Sequence, residues 1–135
     1  MLFNHTAAGI SYCFDEPNLV SAAGLAPLVR LAQSAGLTQL AEQHITVAKT
    51  GGDKGANPGA KVMSLVAGMA AGADSIEDMD LLRHGGMGSL FDRVYAPSTL
   101  GSHLREYTHG HVKQLAAAAF RFLTNLATHT CLLPT

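Results

Sequence analysis

Apolar positions recur along most of this chain at the three- and four-residue steps of a helix, and turn residues punctuate the runs. Leu25, Leu28, Val29 and Ala32 predict a first helix that ends before Gly36, and Leu37, Leu40, Ala41 and His44 predict a second. Gly51 to Gly55 is a glycine-rich loop. Beyond it Asn57 is a helix cap and Pro58 suits the first helical position, where no amide donor is needed. Val62, Leu65, Val66, Met69 and Ala73 make the buried stripe of that helix, and Gly68 and Gly72 on it favour a close crossing. A further helix over 75–84 carries its own punctuation: Asp74 or Ser75 as cap, Glu77 or Asp78 as the reciprocal partner, and Gly85 as a left-handed stop.

After Gly86-Met87-Gly88 the pattern gives a turn of helix at 89–92, a connection through Pro97, and a helix from Ser98 with Leu100, Leu104 and Tyr107 inward. Gly110 separates this from the last helix, where Val112, Leu115, Ala119, Phe122, Leu123 and Leu126 face in and Lys113, Gln114, Arg121 and Asn125 face out. Only residues 10–14 read as strand, stopped by Asp15-Glu16-Pro17-Asn18. The expected fold is therefore mainly α: a bundle of about six short helices with a helix-turn-helix-like pair and one short N-terminal β-strand. Residues 1–9 are a tail, 10–128 one helical domain, and 129–135 a second tail.

Composition sharpens this picture. The 135 residues include 21 Ala and 14 Gly, while Leu, Ile, Val and Phe together number 33. A core can form, but it is padded with small residues that let helices approach closely. Trp is absent and aromatics are 6%, which excludes an aromatic platform for single-stranded nucleic acid. The net charge of −1 conceals an asymmetry, because residues 1–80 balance to −4 and residues 81–135 to +3. Five of the seven histidines lie in the second part. Such a split leaves a polyanion partner open where the total seemed to close it. Cys13 and Cys131 fit neither a zinc site nor a disulfide framework, no signal peptide is visible, and the longest greasy run, 62–73, is too short to span a bilayer. The expectation is a cytoplasmic protein with no membrane partner.

Several constellations invite a catalytic or metal reading and fail it. Of the cluster Asp74, Glu77, Asp78 and Asp80, the first three are accounted for as helix-start residues, which offset the dipole and satisfy free amides. His103, His109 and His111 share no helix face and no acid or cysteine completes a ligand set, so a solvated or phosphate-contacting role is expected of them. His84-Gly85-Gly86-Met87-Gly88-Ser89 lacks the residues of a nucleophile elbow, and 51–61 lacks the Gly-Lys-Ser/Thr of a phosphate loop. No catalytic and no metal-binding residue is assigned.

What remains is the helical pair between Ser89 and His109. With its apolar side buried, the second helix shows Thr99, Ser102, His103, Arg105 and Glu106 outward, after an opening Ser98. Hydroxyls and an arginine near a helix start suit phosphate and base-edge contact in a major groove. The candidate DNA-contact set is Ser98, Thr99, Ser102, His103, Arg105 and, on the following helix, Lys113.

Longer strings carry a family resemblance. These are Phe14-Asp15-Glu16-Pro17-Asn18-Leu19-Val20 with Ala23-Gly24-Leu25, the run Leu65-Val66-Ala67-Gly68-Met69-Ala70-Ala71-Gly72-Ala73-Asp74-Ser75-Ile76-Glu77-Asp78-Met79-Asp80-Leu81-Leu82-Arg83-His84-Gly85-Gly86-Met87, and Ala96-Pro97-Ser98-Thr99-Leu100-Gly101. Together they resemble the N-terminal part of a bacterial insertion-sequence transposase of the DDE group, in the branch numbered thirteen-eighty. The resemblance implies a protein that works on the terminal inverted repeats of its element. It also implies that catalysis belongs to an RNase H-like sheet with three carboxylates and two magnesium ions, beginning beyond the segment matched here. None of this chain's acids corresponds to that triad, so the expectation is a truncated, recognition-bearing portion with no cofactor of its own. Its partners would be double-stranded DNA at the repeats, and itself or a full-length transposase. The alternative is an interaction cap that packs on the catalytic domain or self-associates without touching DNA.

Overall fold

A computed structural model describes residues 13, 15–48 and 55–131. Among them the chain is mainly helical, with no strand. Five α-helices, α1 (Leu25–Ser34), α2 (Leu37–His44), α3 (Pro58–Ala70), α4 (Pro97–Arg105) and α5 (His109–His129), are joined by two 3-10 segments, Glu77–Arg83 and Gly85–Leu90. The strand expected over 10–14 lies outside the described residues except for Cys13, as does the loop at 51–54.

α2 occupies the middle, with α3 against one side and α5 against another, while α1 touches all three. The core follows from this: Leu25, Val29 and Ala32 from α1, Leu37 and Ala41 from α2, then Ile45 and Val47 from the extended strip after it. Val62, Met63 and Ala67 of α3 complete one half, and Met79, Leu82, Met87, Tyr95 and Leu100 the other. Leu28 and Met69, expected inside, are 41% and 61% exposed, because the stripes they extend are narrower than the sequence pattern.

Helix ends are set by specific devices. α3 ends in a Schellman motif: Ala73 N–H donates to the Gly68 carbonyl at 2.9 Å and Gly72 N–H to that of Met69 at 3.1 Å, with Gly72 at φ +106°. Gly68 gives the expected close crossing, since a Cβ there would run into the Met79 thioether. Asn57 stands at the N-cap of α3 but makes no side-chain cap bond, and its backbone is left-handed, at φ +50°, rather than in the extended form usual for a capping residue. Glu42 of α2 supplies the cap from across the interface, its Oε1 accepting Gly59 N–H at 3.0 Å.

The expected helix over 75–84 forms as a tighter 3-10 segment, with the expected box at its start. Ser75 N–H and Oγ–H both donate to Asp78 Oδ2, at 3.1 and 2.8 Å, and Asp78 N–H returns a bond to Ser75 Oγ at 3.2 Å. Gly85 is the left-handed stop at φ +53°. The second 3-10 segment rides on the chain at 16–22: Gly86 N–H donates to the Leu19 carbonyl at 2.8 Å, and the fully buried Met87 accepts Ala22 N–H on Sδ at 3.4 Å. A side chain at Gly85 or Gly86 would collide with that backbone.

Candidate nucleic-acid interface

The helical pair expected between 89 and 109 is made of Gly85–Leu90 and α4, so its first member starts earlier than the pattern indicated and is 3-10 in form. Residues 91–96 connect the two, and Pro97 takes the first helical position of α4, with Thr99 and Leu100 N–H groups both donating to the Ala96 carbonyl. α4 sits on Glu77–Arg83 and α3. Its buried residues are Leu100, Gly101 and His103. The helix is thus turned from the expected orientation, leaving Leu104 40% exposed and placing His103 fully inside.

Two contacts accompany that orientation. Gly101 packs beside Ile76, whose Cγ1 lies 3.5 Å from where a Cβ would stand. The His103 imidazole stands edge-on to Tyr107, ring centroids 5.1 Å apart at 75°, with Nε2 3.2 Å from the phenol oxygen. Burial raises the Tyr107 phenol pKa above its ordinary value, which keeps the hydroxyl protonated. A side chain 0% exposed cannot reach a phosphate, so His103 leaves the candidate DNA-contact set.

His111 is also a structural residue. Thr108 and His111 form a capping box at the start of α5, in which Thr108 N–H donates to His111 Nδ1 at 2.9 Å. With Nδ1 accepting, the proton sits on Nε2, which donates to the Thr46 carbonyl at 3.0 Å. Gln114 Oε1 takes Thr46 N–H at 3.0 Å, so one residue of the strip after α2 has both backbone groups held by α5. The sequence signal for this was Thr-x-x-His, a capping box with imidazole in place of carboxamide. The break before α5 falls at 106–108 rather than at Gly110, which lies inside the first turn.

Of the remaining candidates, Ser98 and Arg105 are exposed and Ser102 is half-buried. At positions i, i+4 and i+7 of one helix they share its outer face. The Arg105 guanidinium lies back over Gly101, 3.7 Å from where a Cβ would stand, so its charge is carried toward the serines. Thr99 is half-buried at the edge of this face. Lys113 is exposed but belongs to α5, so it is not part of the α4 group.

Neither family models, curated proteins nor solved structures yield a match to this chain.

The acidic run proves to be engaged within itself. Beyond the Ser75–Asp78 box, Asp80 accepts from Arg83 at 2.8 Å and lies 3.1 Å from His84 Nε2. His84 and then Arg83 hold the Asp80 carboxyl below the ordinary range; Ser75 and Asp74 do the same for Asp78, while Asp78 pushes Asp74 upward. Among the described residues no group of three or more His, Cys, Asp or Glu could hold a metal ion. No helix among them is long and apolar enough to cross a membrane.

Proposed function

We propose that this chain is the DNA-recognition portion of an insertion-sequence transposase of the DDE group, acting in the bacterial cytoplasm on the terminal inverted repeats of its element. The observation that carries the reading is the outer face of α4, where Ser98, Ser102 and Arg105 line up on one exposed surface. It stands beside the long family-like strings, one of which, Ala96 to Gly101, opens this same helix. A helix with its side chains is about 10–12 Å wide and a B-DNA major groove about 12 Å, so α4 can be laid in the groove by its outer face. Arg105 supplies the charge for a phosphate or the paired donors for a guanine edge, and the serine hydroxyls bond phosphate oxygens. The chain is assigned no catalytic step; strand cleavage and joining fall to the carboxylates and magnesium of the family's catalytic sheet.

A gel-shift titration with a duplex of the terminal repeat tests this at low salt. Wild-type protein should shift the repeat and be displaced poorly by scrambled duplex, and Arg105→Ala should weaken the shift by about 1–3 kcal/mol, roughly five- to 150-fold. Identical binding, or none, for wild type and Arg105→Ala would refute it.

A further inference from the structure

A cavity of about 350 Å³ lies between the corner joining α1 to α2, one side of α3, and residues 90–93 at the end of the second 3-10 segment. Small-molecule sites occupy roughly 300–1,000 Å³, so this one is sized for a small ligand. Its inner wall is apolar. Met63 is buried in the core, and Leu90 and Phe91 are half-buried and packed against that core. Ser64, 5% exposed beside Met63, has already given its hydroxyl proton to the Ala60 carbonyl at 2.9 Å. The α3 side of the cavity therefore offers a ligand no donor.

The opening carries opposite charges. Asp92 and Arg93 line it, both exposed, where the chain bends at 91 and 92. Among the described residues neither side chain has an ion pair or a hydrogen bond, in contrast with Asp80 and Arg83, which engage each other at 2.8 Å. Charge then selects the occupant. A simple anion drawn to Arg93 would meet the carboxylate of the preceding residue, and a simple cation drawn to Asp92 would meet the guanidinium of the next. A neutral molecule would use neither. A zwitterion uses both, since a guanidinium donates paired bonds to a carboxylate and a carboxylate accepts from an ammonium.

We infer that this cavity binds a free α-amino acid with an apolar side chain, its carboxylate on Arg93, its ammonium on Asp92 and its side chain against Met63, Leu90 and Phe91. The site uses no residue of the outer face of α4 and stands or falls separately from DNA recognition.

Isothermal titration calorimetry on the full chain tests this with probes of one shape: L-leucine, leucinamide, which lacks the carboxylate, and 4-methylpentanoate, which lacks the ammonium. L-Leucine should bind about tenfold or more tightly than either, as the loss of one charge-assisted contact implies. Arg93→Gln should weaken L-leucine by a similar factor and abolish its advantage over leucinamide, while its advantage over 4-methylpentanoate persists. Asp92→Asn should do the reverse. Both positions are exposed, so melts without ligand should match wild type, and a general loss of folding could not produce this crossed pattern. Failure of L-leucine, L-methionine and L-phenylalanine alike to bind, equal affinities for the three probes, or discrimination unchanged in both variants would each overturn the inference.

Discussion

Two histidines show how a residue type can mislead when its surroundings are unseen. His103 and His111 look like solvated groups in a basic stretch, yet one is sealed beneath α4 and the other ties α5 to Thr46. Truncating His103 to alanine should cost about 2–4 kcal/mol, combining a cavity with a lost polar partner, and would be read from the denaturant midpoint at unchanged slope. Any loss of DNA binding in that variant should track its unfolded fraction, whereas Arg105→Ala should leave the midpoint within about 0.5 kcal/mol of wild type. Asp80 makes a pH-dependent contribution of known sign. Its carboxyl is held below the ordinary value by His84 and Arg83, so the stabilisation is present above about pH 4 and is lost as pH falls through the lowered folded value. Asp74 runs the opposite way, since Asp78 raises it. Thermal melts between pH 5 and pH 2.5 should therefore show a shallower acid loss for Asp80→Asn than for wild type.

At the scale of elements, the cap from α2 to α3 makes two predictions. Glu42→Ala should destabilise by about 1 kcal/mol, the usual worth of an N-cap acceptor, although Glu42 is itself exposed. Gly59→Ala should be far worse than its helix propensity suggests, because the added Cβ would be driven into the Thr38 carbonyl oxygen and the Glu42 side chain. Gly101→Ala is the contrast: its Cβ would find only ordinary contacts at 3.5 Å and beyond, and chemical denaturation should separate the two variants by more than about 2 kcal/mol. These same places mark what the sequence could convey. Starts and stops written in local chemistry, such as the Ser75–Asp78 box, Pro58 and the turn at Gly85, were legible because their partners lie within a few residues. Helix orientation was not. On α5, Asn125 and Gln114, expected outside, turn in to backbone groups of Ala35 and Thr46 some 90 and 68 residues away, which no periodicity within the helix records. For α4, three of the six candidate contacts share the outer face, and the side it buries was set by packing on Glu77–Arg83 and α3, again a tertiary matter.

For the whole molecule, the charge asymmetry of the sequence becomes a division of labour between surfaces. Asp78 is engaged with Ser75, and Asp80 with Arg83 and His84, while Arg105, Lys113 and Arg121 of the second part stand exposed on α4 and α5. One face, on α4, is polar with a single arginine among hydroxyls, and the other, on α5, is apolar. The central claim, that the first of these holds DNA, is tested most directly by the salt dependence of binding to terminal-repeat duplex, measured by anisotropy for wild type and for Arg105→Ala. A phosphate contact from Arg105 predicts that affinity falls as salt rises and that the variant's log–log slope is shallower by about 1. Parallel slopes with equal affinities would contradict the assignment.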